Sequence, residues 1–375
     1  MSKVRENDCI VHWYFSLTAS IRGCRLLCRD ESISLHLLAT VTLLSSTCWS
    51  TNATTVLGSP TGTGGSTLPL LNTNQGIRIS DDDTLYVADS ANDRIITLPM
   101  SISSTPSIFA EGFGTGLTQM KDPADVFLTP TSVYVADRNN YRIMKWAKNG
   151  SSPVIVAGNT NTPGTALNRI SWSYFIFVDL HANLYVSDTD NHRVLLFNAS
   201  SSNGSNGEVI AGDGTGASNN HQLNNPNGIF VNGNGTLYIA DLRNNRIQRW
   251  YRGASAGSRV AGDGTNGSSL SQLFFPTSVL VDSNEYIYVV QLKHSRVTRW
   301  TVNATFGVCI AGCTGVLGAG PNQLNSAQSL AFDSNGSLYV SDQGNNRVQK
   351  FQIIGDCGKY THTLGKSSSR TVNVF

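Results

Sequence analysis

"LYVSDTDNHRVLLF" (184–197) decides the fold. Six polar residues, Asp188 to Arg193, separate two apolar runs. Taken alone, acids, a histidine and an arginine in one turn could form a catalytic group. The stretch is not alone, however. It recurs as "LYVADSANDRIITL" (85–98), "VYVADRNNYRIMKW" (133–146), "LYIADLRNNRIQRW" (237–250), "IYVVQLKHSRVTRW" (287–300) and "LYVSDQGNNRVQKF" (338–351). Its arginines, at 94, 142, 193, 246, 296 and 347, are 48, 51, 53, 50 and 51 residues apart. A period near 50 marks a repeat architecture. A catalytic constellation occurs once; a group found in nearly every repeat holds the repeat together.

Each unit reads as four strands. An inner strand such as "GIFVN" (228–232) leads through an Asn/Gly turn to the L-Y-V-A-D strand. The polar turn then gives a third strand. A short fourth strand ends in Ala-Gly in four units, as in "VIVAG" (154–158). Alternating strands bounded by Gly and Asn turns and repeated radially are the mark of a β-propeller. "TTVLG" (54–58) reads as a fourth strand with no first three before it, and the last unit lacks a fourth. Docking one onto the other gives six four-stranded blades, closed by an N-terminal strand on the last blade, with protected edges. Leu98, Trp146, Phe197, Trp250, Trp300 and Phe351 then pack between blades.

The repeated D-x-x-N-x-R turn covers Asp89, Asn92 and Arg94; Asp137, Asn140 and Arg142; Asp188, Asn191 and Arg193; Asp241, Asn244 and Arg246; and Asp342, Asn345 and Arg347. Its chemistry suggests three roles. The Asp accepts backbone N–H groups of the turn, the Asn takes the left-handed conformation, and the Arg pairs bidentately with a carboxylate of its own or the next blade. The fifth unit keeps Arg296 but has Gln291, His294 and Ser295, so Arg296 lacks its nearest acid.

These segments resemble the NHL repeat, whose tandem copies form six-bladed propellers. The resemblance covers residues 52–352. It implies an all-β propeller but does not choose a function, because such propellers include protein- and RNA-binding platforms, extracellular sensors and a zinc- and calcium-dependent lyase, with calcium-dependent lactonases on related folds.

Propeller chemistry sits at the mouth of the central channel, where the inner strands begin. Aligning the units places Gln75, Ala124, Ser173, Asn227, Thr277 and Gln328 there, a ring of amides and hydroxyls without an acid or histidine. Asp125 is the carboxylate at the neighbouring position. A catalytic Ca²⁺ needs several oxygen ligands, and a catalytic Zn²⁺ needs histidines with Asp, Glu or Cys. This ring argues against an enzyme and against a metal or cofactor. His192, His221 and His294 share the face of the motif turns but sit in different units. "DDD" (81–83) reads as a hairpin turn. "RNNRIQRWYR" (243–252) interleaves arginine with aromatics, yet Arg246 and Trp250 hold repeat positions. "GDGTG" (212–216) is followed by neither a helix nor a lysine and reads as a connection.

Charge agrees. From Asn52 to Gln352 there are 19 Lys and Arg against 20 Asp and Glu, so the body has no pull on nucleic acid or anionic lipid. The first fifty residues differ. Arg22, Arg25 and Arg29 precede an apolar stretch, Leu35 to Leu44, of signal-peptide length and too short for a full span. Cleaved signal, signal-anchor and irregular arm remain open. Sequons stand at Asn52, Asn149, Asn198, Asn203, Asn234, Asn266, Asn303 and Asn335. Closure brings Cys48 near Cys357, where a disulfide could lock the ring; Cys309 and Cys313 pair only through a turn.

The sequence thus reads as a leader over 1–50, a propeller over 51–355 and a polar tail over 356–375. The reading is a monomeric, non-catalytic extracellular or cell-surface platform for a protein or glycan. It meets membrane only through an uncleaved leader. A metal-dependent lyase or lactonase in the channel and a cytoplasmic RNA- or protein-binding scaffold are the alternatives.

Overall fold

The computed structural model describes residues 43–356 except 45, 102 and 103, together with three short strands near the N-terminus. Those strands, Arg5–Glu6, Cys9–His12 and Arg25–Cys28, form a small antiparallel sheet in a unit that ends at Thr40. The rest of the expected leader core, apart from Leu43 and Leu44, lies outside the described residues. Among the described residues no helix is long and apolar enough to cross a membrane.

The second unit is a six-bladed propeller. Blade one runs through Asn74–Ile79, Thr84–Asp89, Arg94–Pro99 and Ser107–Glu111, and every blade is an antiparallel four-stranded sheet. Blades two to five repeat this order from inner strands Pro123–Leu128, Ser173–Val178, Pro226–Val231 and Pro276–Val281. Blade six takes Ala327–Phe332, Leu338–Asp342 and Arg347–Phe351 from the end of the chain and Thr54–Gly58 from its start. Each inner strand packs on that of the next blade, and blade six packs on blade one, so the ring is closed.

Closure is strengthened by a further pair. Thr47–Trp49 pairs with Ile353–Asp356, with Cys48 opposite Gly355. The Trp49 ring packs against Tyr288 and Phe332, and its Nε1 donates to the Gly336 carbonyl at 2.8 Å. Arg299 donates to the Thr47 carbonyl at 3.1 Å. This packing extends the propeller body upstream of residue 51, with Leu43 already buried. Cys48 is disulfide-bonded, and Cys357 lies outside the described residues. Cys309 and Cys313 are joined, with Cα atoms 5.8 Å apart, because the chain leaves the outer strand Val308–Ala311 and turns back.

The blade cores follow the repeat. Trp146, Phe197, Trp250, Trp300 and Phe351 are buried at 3% exposure or less, while Leu98 is half-buried. The tyrosine of each second strand is also buried. Aromatic contacts run across blades from Phe127 to Phe177 to Phe230, at 4.8 and 5.5 Å between ring centroids.

Candidate functional site

The motif turns are structural, and their chemistry differs from the expected roles. After each Asp the chain makes a short 3-10 turn, Arg138–Asn140 in blade two. The left-handed residue is the one after the Asn: Asp93, Tyr141, His192, Asn245 and Asn346. The Asn itself stays in the turn and donates Nδ2 to the motif Asp, at 2.8 Å from Asn140 to Asp137. It also donates to a loop carbonyl, Gly114 in that blade. The Asp accepts an amide from the loop that precedes its inner strand, Lys121 to Asp137 at 2.7 Å, rather than one from the turn. The Arg meets the Asp of its own blade through Nε alone, at 2.7 Å for Arg142. Its other nitrogens reach carbonyls of the same loop, at Thr115, Gly116 and Gln119. One carboxylate and one guanidinium thus tie each turn to the connection arriving from the previous blade, which explains their burial. Desolvation pushes Asp89, Asp137, Asp188, Asp241 and Asp342 above the usual carboxylate range, against their hydrogen bonds and arginines.

Blade five departs as its sequence says. Gln291 accepts the Phe274 amide at 3.3 Å, Arg296 reaches Gln291 at 3.4 Å, and the Arg296 Nε has no partner among the described residues.

The left-handed residue supplies a contact the sequence did not reveal. Its side chain accepts an amide of the next blade. Asp93 takes Asp122, His192 takes Asn225, Asn245 takes Phe275, Ser295 takes Ser326 and Asn346 takes Thr73, at 2.7 to 3.1 Å. His192 is thereby a latch. Among the described residues, the boundary between blades two and three lacks this bond. Tyr141 occupies the latch position, and Trp172 stands where the donating amide would be.

At this unlatched boundary the motif-turn face carries a distinct cluster. Arg138 donates Nη1 to the Gln75 Oε1 of blade one at 3.2 Å and Nε to Asp122 at 3.2 Å, with Nη2 on the same Asp122 oxygen. Its guanidinium lies 4.6 Å from the Tyr174 ring centre and 5.7 Å from that of Trp172. Trp172 remains 41% exposed. A charge-neutral Arg–Asp pair, an amide and an open indole face therefore meet across three blades.

The register corrects one mouth position. Ser173 pairs with Asp188 as Asn74 pairs with Asp89 and Pro226 with Asp241. The residue matching Gln75 and Asn227 is therefore Tyr174, not Ser173; the alignment slipped because Phe175, one residue ahead of Ile176, reads as the first apolar residue of its strand. Ala124 is wholly buried and Thr277 nearly so. Gln328 donates to Gln343 at 2.9 Å. Asn227 is buried, and its Oδ1 has no partner among the described residues.

Asp125 is fully buried. Its Oδ2 accepts the Ile176 amide at 3.1 Å and lies 3.9 Å from Arg78, while Oδ1 has no partner among the described residues. Burial pushes its carboxyl up to about 6 against that arginine and two backbone amides. Asp83 of the triple-Asp turn receives the amide and hydroxyl of Ser334 and so clamps blade one to blade six. His221 stands 3.7 Å from Asp213 at the surface, and the His294 ring packs on Phe274. No group of three or more His, Cys, Asp or Glu among the described residues is placed to hold a metal ion. A cleft of about 430 Å³ between blades four and five is lined by Arg249, Arg259, Glu285 and Asn303 among others.

The model of the NHL repeat matches residues 223–250 and 324–351, the turn-bearing parts of blades four and six. With the six-bladed ring, this makes the chain an NHL-repeat β-propeller. No curated protein matches it by sequence. Solved structures resemble it in fold. One is a protein of unknown function from Bacteroides thetaiotaomicron, at 15% identity and TM-score 0.62, covering 80% of this chain and 76% of that one. An auxiliary nutrient binding protein from Bacteroides ovatus has 16% identity and TM-score 0.59, covering 80% and 76%. A gluconolactonase from Xanthomonas campestris has 11% identity and TM-score 0.55, covering 84% and 100%.

Proposed function

We propose that the propeller is a non-catalytic binding platform, exposed outside the cell, that seats a protein or glycan ligand on its motif-turn face. The unlatched boundary between blades two and three carries this reading. Elsewhere the turns consume their polar groups in holding the ring, whereas here Trp172 keeps an open aromatic face beside the Arg138–Asp122 pair. An exposed indole beside a guanidinium, itself held by an amide and a carboxylate, suits a sugar ring or a peptide side chain. The fold is shared both with a nutrient-binding protein and with a gluconolactonase, so the site must separate binding from catalysis. A leader cut before Leu43 keeps Trp49 and Cys48 in the secreted propeller; a cut after Trp49 removes the closing pair.

The test compares wild-type protein with Trp172→Ala on glycan arrays and on a panel of displayed secreted proteins. A ligand whose affinity falls at least about tenfold, some 1.4 kcal/mol, in the variant supports the platform. Ligands bound equally by both proteins count against this site. Near-stoichiometric zinc or calcium in the purified protein, with turnover of a lactone or a lyase substrate, replaces the reading by the enzyme.

A further inference from the structure

The eight sequons are distributed unevenly over the propeller. In every blade the connections from inner to second strand and from third to outer strand lie at one face. The motif turns and the loops between blades lie at the other. Asn149, Asn198, Asn203 and Asn303 fall in third-to-outer connections, and Asn234 and Asn335 in inner-to-second ones. Asn52 stands just before the outer strand of blade six, on the same hairpin face. Asn266 is in a loop between blades. All eight are exposed.

Composition does not produce this pattern. The connections of the hairpin face and the inter-blade loops of the motif-turn face hold eleven asparagines each, yet complete sequons number seven against one. Turn chemistry explains part of it, since Asn-Gly favours hairpins. It does not explain the hydroxyl residue that follows, because Asn206 and Asn232 also precede Gly in hairpin connections without completing a sequon. On the motif-turn face Asn159 and Asn161 lie in a Thr-rich loop, yet Asn161 is spoiled by Pro163 and Asn159 by Asn161. At Asn149 and Asn198 the side-chain oxygen accepts the hydroxyl of Ser151 and of Ser200, each at 2.7 Å, in tight surface turns with room for a sugar.

We propose that N-linked glycans coat the hairpin face and leave the motif-turn face bare, so that a macromolecular ligand approaches from the motif-turn side. The inference rests on the extracellular reading and adds an orientation to it. The sugar layer blocks docking on one face, and the Trp172 cluster stands on the other.

The test expresses the full chain in a secretory eukaryotic cell and maps occupancy site by site. Protein from medium and lysate is treated with N-glycosidase in heavy-oxygen water, and converted asparagines are read by peptide mass spectrometry. Secreted protein modified at most of the seven hairpin-face sites, each at higher occupancy than Asn266, supports the proposal. Secreted protein that is unmodified, or modified chiefly at Asn266, overturns it and leaves the extracellular reading standing. Unmodified protein confined to the cytosol overturns both.

Discussion

Asp125 should make the propeller lose stability as pH rises. It sits in the inner strand of blade two, fully buried, with one oxygen on the Ile176 amide and the other unpartnered among the described residues. Burial raises its carboxyl from the usual 3.8 to about 6 in the folded protein. The folded chain therefore holds this proton more tightly than the unfolded chain does. The stabilisation is complete below about pH 4 and is lost as pH climbs through about 6. A shift of about two units corresponds to about 3 kcal/mol. The perturbation is Asp125→Asn, which removes the titration and keeps an oxygen for Ile176. The new amide N–H₂ carries a fixed cost from its unpartnered site, but that cost does not vary with pH. The assay is urea unfolding of both proteins from pH 4 to pH 8. The difference between the two stabilities should move by about 3 kcal/mol in favour of the variant across that range, most steeply between pH 4 and 6. The motif aspartates titrate in both proteins and cancel in the difference. Parallel stability curves would refute the reasoning.

Other perturbations separate the repeat from its exceptions. Arg142→Met should cost about 3–5 kcal/mol, since it strands the buried Asp137 and three loop carbonyls. Arg296→Met should cost less, about 1–2 kcal/mol, because no carboxylate is left behind; urea midpoints compare the two. Gln291→Asp combined with His294→Asn rebuilds the motif in blade five and should raise stability by about 1–2 kcal/mol by the same assay. Non-reducing peptide mapping should recover Cys48 joined to Cys357. Cys48→Ser should then cost on the order of 5 kcal/mol in the chain-entropy model, against about 2 kcal/mol for Cys313→Ser, whose loop is short. Recovery of Cys48 on any other cysteine would remove the ring lock.

The propeller was legible because its signals are redundant. Six copies of one segment fix strand order, blade count and the missing outer strand, and the register of Thr54–Gly58 on Arg347–Phe351 follows from them. The hydrogen bonds of the motif were less legible. Spacing showed that Asp, Asn and Arg belong together but could not show that they bind the incoming loop, because that loop varies from blade to blade. The candidate site was the least legible. Its signal was the one latch position that lacks a short polar acceptor, Tyr141, beside a tryptophan that no repeat rule requires. Reading the motif for what it repeats drew attention away from the residue after the Asn. Ser173 was misplaced because Phe175 precedes Ile176 and passes for the start of the buried run.

The closing pair also sets how the molecule bears mechanical load. Thr47 lies opposite Asp356 and Trp49 opposite Ile353, so the chain enters and leaves the ring at the same end of a short ladder. Tension applied through the two flanking segments would peel this ladder from Thr47 inward, one hydrogen bond after another, instead of shearing all of them together. Trp49, seated among Tyr288 and Phe332, is the first bulky obstacle on that path. A sulfur bridge from Cys48 to Cys357 would carry the load around the ladder altogether. A ring tethered at a cell surface would then transmit pulling force through one covalent link while its six blades stayed slack.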